Sequence, residues 1–177
     1  MCKAIRLFVV LAICLLPFAQ AGVSIDIRPA TCPNLVDLDS RGLVPIAIVG
    51  DFDFNASRVD VTSLQLRRAD GAGDAVTPFA SRRGLPGRLV DITAPASMGS
   101  CSTFGVDGIR DLLLYFGQQQ MVQAFELDTV EGDGPLTLCL SGESLRGASF
   151  EVCDDVALTS LGAPLRPFGN IATRPLR

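Results

Sequence analysis

The sequence predicts an all-β protein, a β-sandwich of seven or eight mainly antiparallel strands with at most one short helix. Two observations support this fold class. Short apolar segments recur along the chain with glycine-rich or polar turns between them, and most of them alternate apolar with polar residues, as strands with one buried face do. In addition, only one stretch has helical spacing. Two stacked sheets are the simplest architecture for such a pattern.

The segment 42–54 is the most apolar part of the chain outside its first residues, and it predicts the central strand. Its residues 43–49 are rich in β-branched side chains, as in a strand buried on both faces. Pro45 is unusual there, because proline has no N–H to donate to a neighbouring strand. From Asp51 to Phe54 carboxylates and rings alternate, which predicts that the strand continues with Phe52 and Phe54 on one face.

The other strands are predicted from alternating or apolar segments, and we expect them near 23–28, 64–67, 89–92, 109–116, 136–140 and 150–152. A helix of one or two turns is expected within 118–127, where Met121, Val122 and Phe125 have helical spacing. Residues 30–40 are expected to form a loop. In the last hairpin, pairing Leu140 with Phe150 would keep the apolar side chains on one face.

The N-terminal residues have the pattern of a signal peptide. Lys3 and Arg6 precede an apolar run at 7–18, and Ala19 and Ala21 are the small residues that a signal peptidase recognises. The run is too short to span a bilayer. A lipoprotein cleaved before Cys14 is less favoured, because the bulky Ile13 precedes it.

Cleavage after Ala21 would leave 156 of the 177 residues, enough for a single domain with a real core. We therefore predict a signal peptide at 1–21, one β-sandwich domain at 22–158 and a loosely ordered tail at 159–177. The expected location is secreted, periplasmic or at the cell surface, with no membrane span in the mature chain.

The composition argues against several classes of function. The sequence has no histidine, which is the commonest general base and metal ligand, and no tryptophan. After residue 21 it has 13 arginines against 19 acidic residues and no lysine. An acidic chain without a basic stripe does not suit nucleic acid or an anionic membrane.

Four cysteines remain after the predicted cleavage, at Cys32, Cys101, Cys139 and Cys153. An even number in an exported chain predicts two disulfides, with three possible pairings. The expected hairpin register makes Cys139 and Cys153 only diagonal neighbours, so we favour Cys32 with Cys153 and Cys101 with Cys139. A four-thiolate zinc site is disfavoured by the lack of a Cys-x-x-Cys spacing, and a reactive thiol by the lack of histidine.

The best candidate for a metal site is the segment 103–112, where Asp107-Gly108 followed by Asp111 matches the second half of a calcium loop. Thr103 and Gly105 stand where further oxygen ligands would be needed, so an Asp-Gly turn leading into a strand is the favoured interpretation. Asp51, Asp53 and Asn55 also have alternate spacing, but the phenylalanines between them favour a strand.

A carboxylate-based hydrolase, for example one acting on glycans, is the alternative enzymatic hypothesis. It needs two acids that converge in a cleft. No aromatic lining accompanies the acids, so the hydrolase is the less favoured hypothesis. We therefore predict no catalytic residues. The candidate acids are Asp51, Asp53, Asp107, Asp111, Asp154 and Asp155.

Separately, Asn55-Ala56-Ser57 satisfies the sequon for N-glycosylation.

Several segments together resemble a β-rich module of unknown function found in exported bacterial proteins. The matching residues are 24–29 (SIDIRP), 32–34 (CPN), 42–50 (GLVPIAIVG) with Asp53, and Asp107-Gly108 with 111–116 (DLLLYF). The resemblance covers about 23–156 and implies an exported accessory domain without catalytic residues. Together with the composition, it predicts a non-catalytic module that binds an unknown surface or extracellular ligand or has a structural role, with calcium-stabilised adhesion as a further alternative.

Overall fold

The structure is a computed structural model and describes residues 22–80, 86–96, 105–130 and 134–160. The predicted signal peptide, Cys101 and nearly all of the predicted tail lie outside these residues. The described part is a two-sheet all-β fold with eight strands and one α-helix, so the predicted fold class is confirmed. None of the described helices is long and apolar enough to cross a membrane.

Each sheet has four strands. The first has the order β1 (Ser24–Ile27), β3 (Leu43–Val49), β6 (Asp111–Gly117), β5 (Gly87–Val90), and all its pairs are antiparallel. The second has the order β2 (Leu35–Asp37), β8 (Ser149–Thr159), β7 (Leu136–Ser144), β4 (Val59–Arg68). Only β2 and β8 pair in parallel. The predicted central strand is confirmed, because β3 lies between β1 and β6.

The core lies between the sheets, and both contribute to it. Apolar side chains point inward from every described strand except β5 and are almost completely excluded from solvent. The helix α1 (Gln118–Ala124) follows β6 directly and buries Met121 and Val122, with Phe125 just beyond its end. The main core residues from the strands are Ile25, Ile27, Ile46, Ile48, Leu64, Leu66, Leu112, Leu114, Phe116, Leu138, Leu140, Phe150 and Val156.

Pro45 is tolerated in β3 because no hydrogen bond is lost there. The backbone oxygen of Pro45 accepts the N–H of Arg28 at 2.8 Å. Regular pairing would direct the N–H of residue 45 to the carbonyl of Arg28. That carbonyl instead accepts the backbone N–H of Thr31 at 3.1 Å and its hydroxyl at 2.7 Å. The chain turns at Arg28, which has φ of 61°, and β1 therefore ends where the proline faces it.

The predicted continuation of the central strand through residues 51–54 is wrong. β3 ends at Val49, and Asp51 to Phe54 form a tight turn in which the N–H of Asp51 bonds the carbonyl of Phe54 at 3.0 Å. The two rings consequently lie in different environments and not on one face. Phe54 packs edge-on against Phe150, with ring centroids 6.4 Å apart, whereas the side chain of Phe52 is 99% exposed.

The predicted register of the last hairpin, and with it the favoured cysteine pairing, is also wrong. Val152 lies opposite Leu140, so Cys153 lies directly opposite Cys139, with Cα atoms 4.0 Å apart, and the two form a disulfide. Cys153 therefore does not bond Cys32, nor does Cys139 bond Cys101. Cys32 is itself disulfide-bonded.

The register follows from side-chain size. Phe150 lies opposite Gly142, where an added Cβ would come within 2.6 Å of Leu64 Cδ2 and 3.3 Å of the Phe150 ring. The bulky ring therefore needs a glycine as its partner.

Candidate functional site

An open cleft of about 430 Å³ lies at the end of the first sheet where β3 finishes and β6 begins. One wall is the segment that follows β3, and the other combines β5 with the residues that precede β6. The cleft is lined by Asp51, Phe52, Asp53, Phe54, Asn55, Ser57, Leu89, Gly108, Ile109 and Arg110.

Phe52 lies at the tip of a turn that Asp51 holds in place. Asp51 Oδ1 accepts the backbone N–H of Asp53 at 2.7 Å and that of Phe54 at 2.6 Å. An Asp side chain that bonds backbone groups two and three residues ahead fixes a turn without help from other elements. The ring of Phe54 anchors the far side of this turn on Phe150. The turn therefore presents Phe52 to solvent on a rigid base.

The opposite wall is organised by Asp91, which the sequence analysis did not single out. Its Oδ1 accepts the N–H of Asp107 at 3.0 Å, and its Oδ2 accepts the N–H of Gly108 at 2.8 Å. Asp107 Oδ1 in turn accepts the N–H of Ile109 at 2.8 Å. These bonds fix the backbone that presents Ile109 and Arg110 to the cleft.

The two walls meet at Asp111, which is completely buried beneath them. Its Oδ1 accepts the N–H of Gly50 at 2.9 Å, and its Oδ2 accepts those of Ile92 and Thr93 at 2.9 and 3.1 Å. Gly50 is needed at this point, because an added Cβ would lie 2.4 Å from the carbonyl oxygen of Arg110. Asp111 therefore positions the cleft and is not one of its lining residues.

A second buried carboxylate, Asp26, lies on the same outer face of the first sheet as Asp111. Its Oδ2 accepts the hydroxyl of Thr93 at 2.6 Å. Desolvation by burial raises the pKa of Asp26 above 3.8, the nearby carboxylates of Asp154 and Asp111 raise it further, and the Thr93 hydrogen bond partly offsets both.

The remaining candidate acids lie in the second sheet, away from the cleft lining. Asp154 Oδ2 accepts the N–H of Ile27 at 3.0 Å and the side-chain amide of Asn34 at 2.9 Å. Asp155 Oδ1 accepts the hydroxyl of Thr137 at 2.7 Å. Of the six acids considered for a hydrolase, the structure brings only Asp51 and Asp53 into the cleft.

The predicted calcium ligands are not arranged as a pair with free oxygens. Asp107 is exposed, whereas Asp111 is buried and accepts three backbone N–H groups. Calcium needs six to eight oxygen ligands. Within the described ranges, no group of three or more acidic or cysteine side chains could hold a metal ion. Calcium binding therefore stays a prediction.

Sequence reasoning missed the roles of Asp91, Thr93 and Asn34. Asp91 lies within the predicted strand 89–92 but just beyond the observed end of β5 at Val90, and Thr93 follows it; polar residues near a strand end are a usable signal for a loop held by side-chain bonds. Asn34 was noted only as part of the segment 32–34, without a role. Nothing in one sequence, however, indicates which distant backbone or side-chain group each of them reaches.

Comparison of the chain with protein-family models, with curated proteins and with solved structures gave no match.

Proposed function

We propose that this chain is a non-catalytic binding module that acts outside the cytoplasm, and that the cleft beside Phe52 contacts its ligand. The proposal rests on one observation above all, a fully exposed aromatic ring on a turn fixed by Asp51. Exposed large apolar side chains on rigid supports are common at binding surfaces, where ordering them costs little entropy.

The chemistry of the lining favours an extracellular carbohydrate as the ligand class. The C–H face of a sugar ring can pack on an aromatic ring such as Phe52, while its hydroxyls need hydrogen-bond partners. Carboxylate, amide, hydroxyl and guanidinium groups line the same cleft, and they belong to Asp53, Asn55, Ser57 and Arg110. The lining therefore offers both an apolar surface and several hydrogen-bonding groups, as recognition of a sugar requires.

Two observations favour binding over catalysis. The whole sequence lacks histidine. Three of the carboxylates that line or support the cleft are also engaged with backbone N–H groups: Asp51 with two, Asp91 with two and Asp111 with three. A general acid and base need free carboxyl groups on either side of a scissile bond. These acids instead hold loops in place.

Export is supported by the disulfide between Cys139 and Cys153, since such bonds persist in oxidising compartments. The leader-like residues 1–21 are the sequence basis for the same proposal.

The binding proposal is tested by calorimetry of the purified chain against a panel of extracellular polysaccharides and their oligosaccharides. We expect at least one to bind without being cleaved. Phe52→Ala should weaken that binding about tenfold or more, equivalent to about 1.4 kcal/mol. Phe79→Ala is the matched control, because Phe79 is also exposed, at 51%, but is not among the lining residues. Equal loss in both variants, or no binding to any member of the panel, would contradict the proposal.

Each alternative function has its own test. Product formation from any glycan of the panel, lost in Asp51→Asn or Asp53→Asn, would favour the hydrolase. For calcium-stabilised adhesion, the decisive measurement is the melting temperature with calcium and with chelator. Because Asp111 already accepts three backbone N–H groups, we expect the two melting temperatures to agree. If chelator lowers the melting temperature of the original chain but not that of Asp107→Asn, the calcium site would be favoured.

A further inference from the structure

The segment from Asp53 to Ser57 contains the sequon Asn55-Ala56-Ser57 at the rim of the cleft, and both Asn55 and Ser57 are exposed. A sequon is a short pattern that also arises by chance, so its weight depends on where the asparagine lies and what its amide nitrogen does. The structure answers both questions for Asn55.

The side chain of Asn55 is oriented by its oxygen, which leaves its nitrogen available. Asn55 caps a single 3-10 turn at Ala56–Arg58, and its Oδ1 accepts the N–H of Ser57 at 3.0 Å and the Ser57 hydroxyl at 2.7 Å. The Nδ2 atom donates no hydrogen bond to another described residue. The buried methyl group of Ala56 holds the turn on the core, so the amide group lies on the solvent side.

Asn34 provides an internal contrast. It is 8% exposed, and its Nδ2 donates to Asp154 Oδ2 at 2.9 Å and to the carbonyl of Asp155 at 3.1 Å. Its second following residue is Val36, so it has no sequon. Of the two asparagines in the described part of the chain, one is therefore used inside the fold and the other is presented at the surface.

We propose that Asn55 is the acceptor site for an N-linked glycan attached on the exported side of the membrane. The donor is an oligosaccharide linked through pyrophosphate to a lipid. The Nδ2 atom forms a bond to C1 of the first sugar, the bond from C1 to the pyrophosphate oxygen breaks, and the electron pair leaves with the lipid pyrophosphate. The amide releases one proton to a base of the transferase, and nothing is oxidised or reduced.

Asp53 gives the segment from Asp53 to Ser57, here called the acceptor segment, a carboxylate that a transferase could bind. It is exposed, lies two residues before Asn55 and lines the same rim. A carboxylate at this point can bind an arginine of a transferase through charge-assisted hydrogen bonds, which would fix the register of the acceptor segment.

This inference goes beyond the binding function and does not require it, because glycan attachment depends only on the exposed segment. It has a consequence for that function, however. Asn55 and Phe52 line one cleft, so an attached oligosaccharide would cover the cleft and weaken binding of added carbohydrate.

The test uses the purified full chain, a purified bacterial oligosaccharyltransferase and its lipid-linked oligosaccharide. A synthetic peptide of residues 50–60 confirms that the enzyme accepts this sequence. Intact mass should rise by that of one oligosaccharide, and the added mass should lie on tryptic peptide 42–58, which contains Asn55. Asn55→Gln and Ser57→Ala should abolish the shift, while Ser57→Thr, which keeps the sequon, should retain it. Asp53→Ala should slow transfer about tenfold or more.

Modification of the peptide but not of the folded chain would overturn the proposal, as would a mass shift that persists in Asn55→Gln. Transfer at an unchanged rate in Asp53→Ala would remove the role of that carboxylate. The melting temperature of each variant distinguishes loss of the acceptor from loss of the fold. Glycan occupancy is read by mass alone, so failure of the binding proposal would leave this result unaffected.

Discussion

The Oδ2 atom of Asp154 accepts the backbone N–H of Ile27 at 3.0 Å, and this bond joins strand β8 of the second sheet to edge strand β1 of the first. The same oxygen accepts the side-chain amide of Asn34, just before β2. Asp154 is itself buried. One carboxylate therefore accepts hydrogen bonds from two other segments at the junction of the sheets, and without it the N–H of Ile27 would be buried without this acceptor.

Asp154→Ala should lower the free energy of unfolding by roughly 3 kcal/mol, because it leaves the Ile27 N–H and the Asn34 amide without this acceptor. Urea unfolding of the purified chain measures this loss. Glu151→Ala is the matched control, since Glu151 lies on the same strand with an exposed side chain, and it should stay within about 0.5 kcal/mol of the original chain. Equal effects in the two variants would mean that the Asp154 bonds do not stabilise the junction.

The raised pKa of Asp26 predicts how the free energy of unfolding depends on pH. Burial and the nearby carboxylates raise its pKa above 3.8 in the folded state, so the folded chain binds this proton more tightly than the unfolded chain does. The Asp26 contribution to the free energy of unfolding therefore falls as the pH rises from 3.8 through the higher folded-state pKa, and it is constant above that.

Asp26→Asn keeps an acceptor for the Thr93 hydroxyl but has no charge to bury. We expect the variant to be more stable than the original chain at pH 7, and the difference to shrink as the pH is lowered through the folded-state pKa of Asp26 towards 3.8. Urea unfolding from pH 3 to pH 8 measures it. If the difference in free energy of unfolding between Asp26→Asn and the original chain were the same at every pH, the raised pKa of Asp26 would be contradicted.

The disulfide between Cys139 and Cys153 closes a loop with a sequence separation of 14. Replacing both cysteines by alanine should lower the free energy of unfolding by about 3 kcal/mol, because the unfolded chain gains the entropy of the opened loop. Mass mapping of a non-reduced digest should recover Cys139 linked to Cys153. Recovery of Cys153 linked to Cys32 would contradict the hairpin register.

The strands could be predicted from the sequence where periodicity and composition agree. Residues 43–49 are apolar on both faces because one face meets the core and the other is buried at Ala47 and Val49, and such a run is visible in the sequence. The short helix was found because Met121 and Phe125 are spaced one turn apart and both are buried. Strand β2 was missed, since its three residues pair in parallel with a strand more than 100 residues away.

The candidate site was only partly predictable, because its bonds join residues distant in the sequence. Asp107 and Asp111 were noticed as candidate calcium ligands, but the bond that Asp111 accepts from the N–H of Gly50, 61 residues away, is not revealed by any local pattern. The alternation of residues 51–54 predicted a strand, yet Asp51 bonds its own following backbone and makes a turn. Local side-chain hydrogen bonds of this kind compete with strand pairing. Here they form a turn, and the turn places Phe52 in solvent.

The most direct test of the binding proposal is a ¹H–¹⁵N NMR titration of the folded chain with the carbohydrate that binds best in calorimetry. We expect the largest shift changes at residues 51–57, Leu89 and 108–110, the two walls of the cleft, and we expect these changes to be lost in Phe52→Ala. Shift changes centred on the second sheet, or changes at the cleft that persist in Phe52→Ala, would contradict the account.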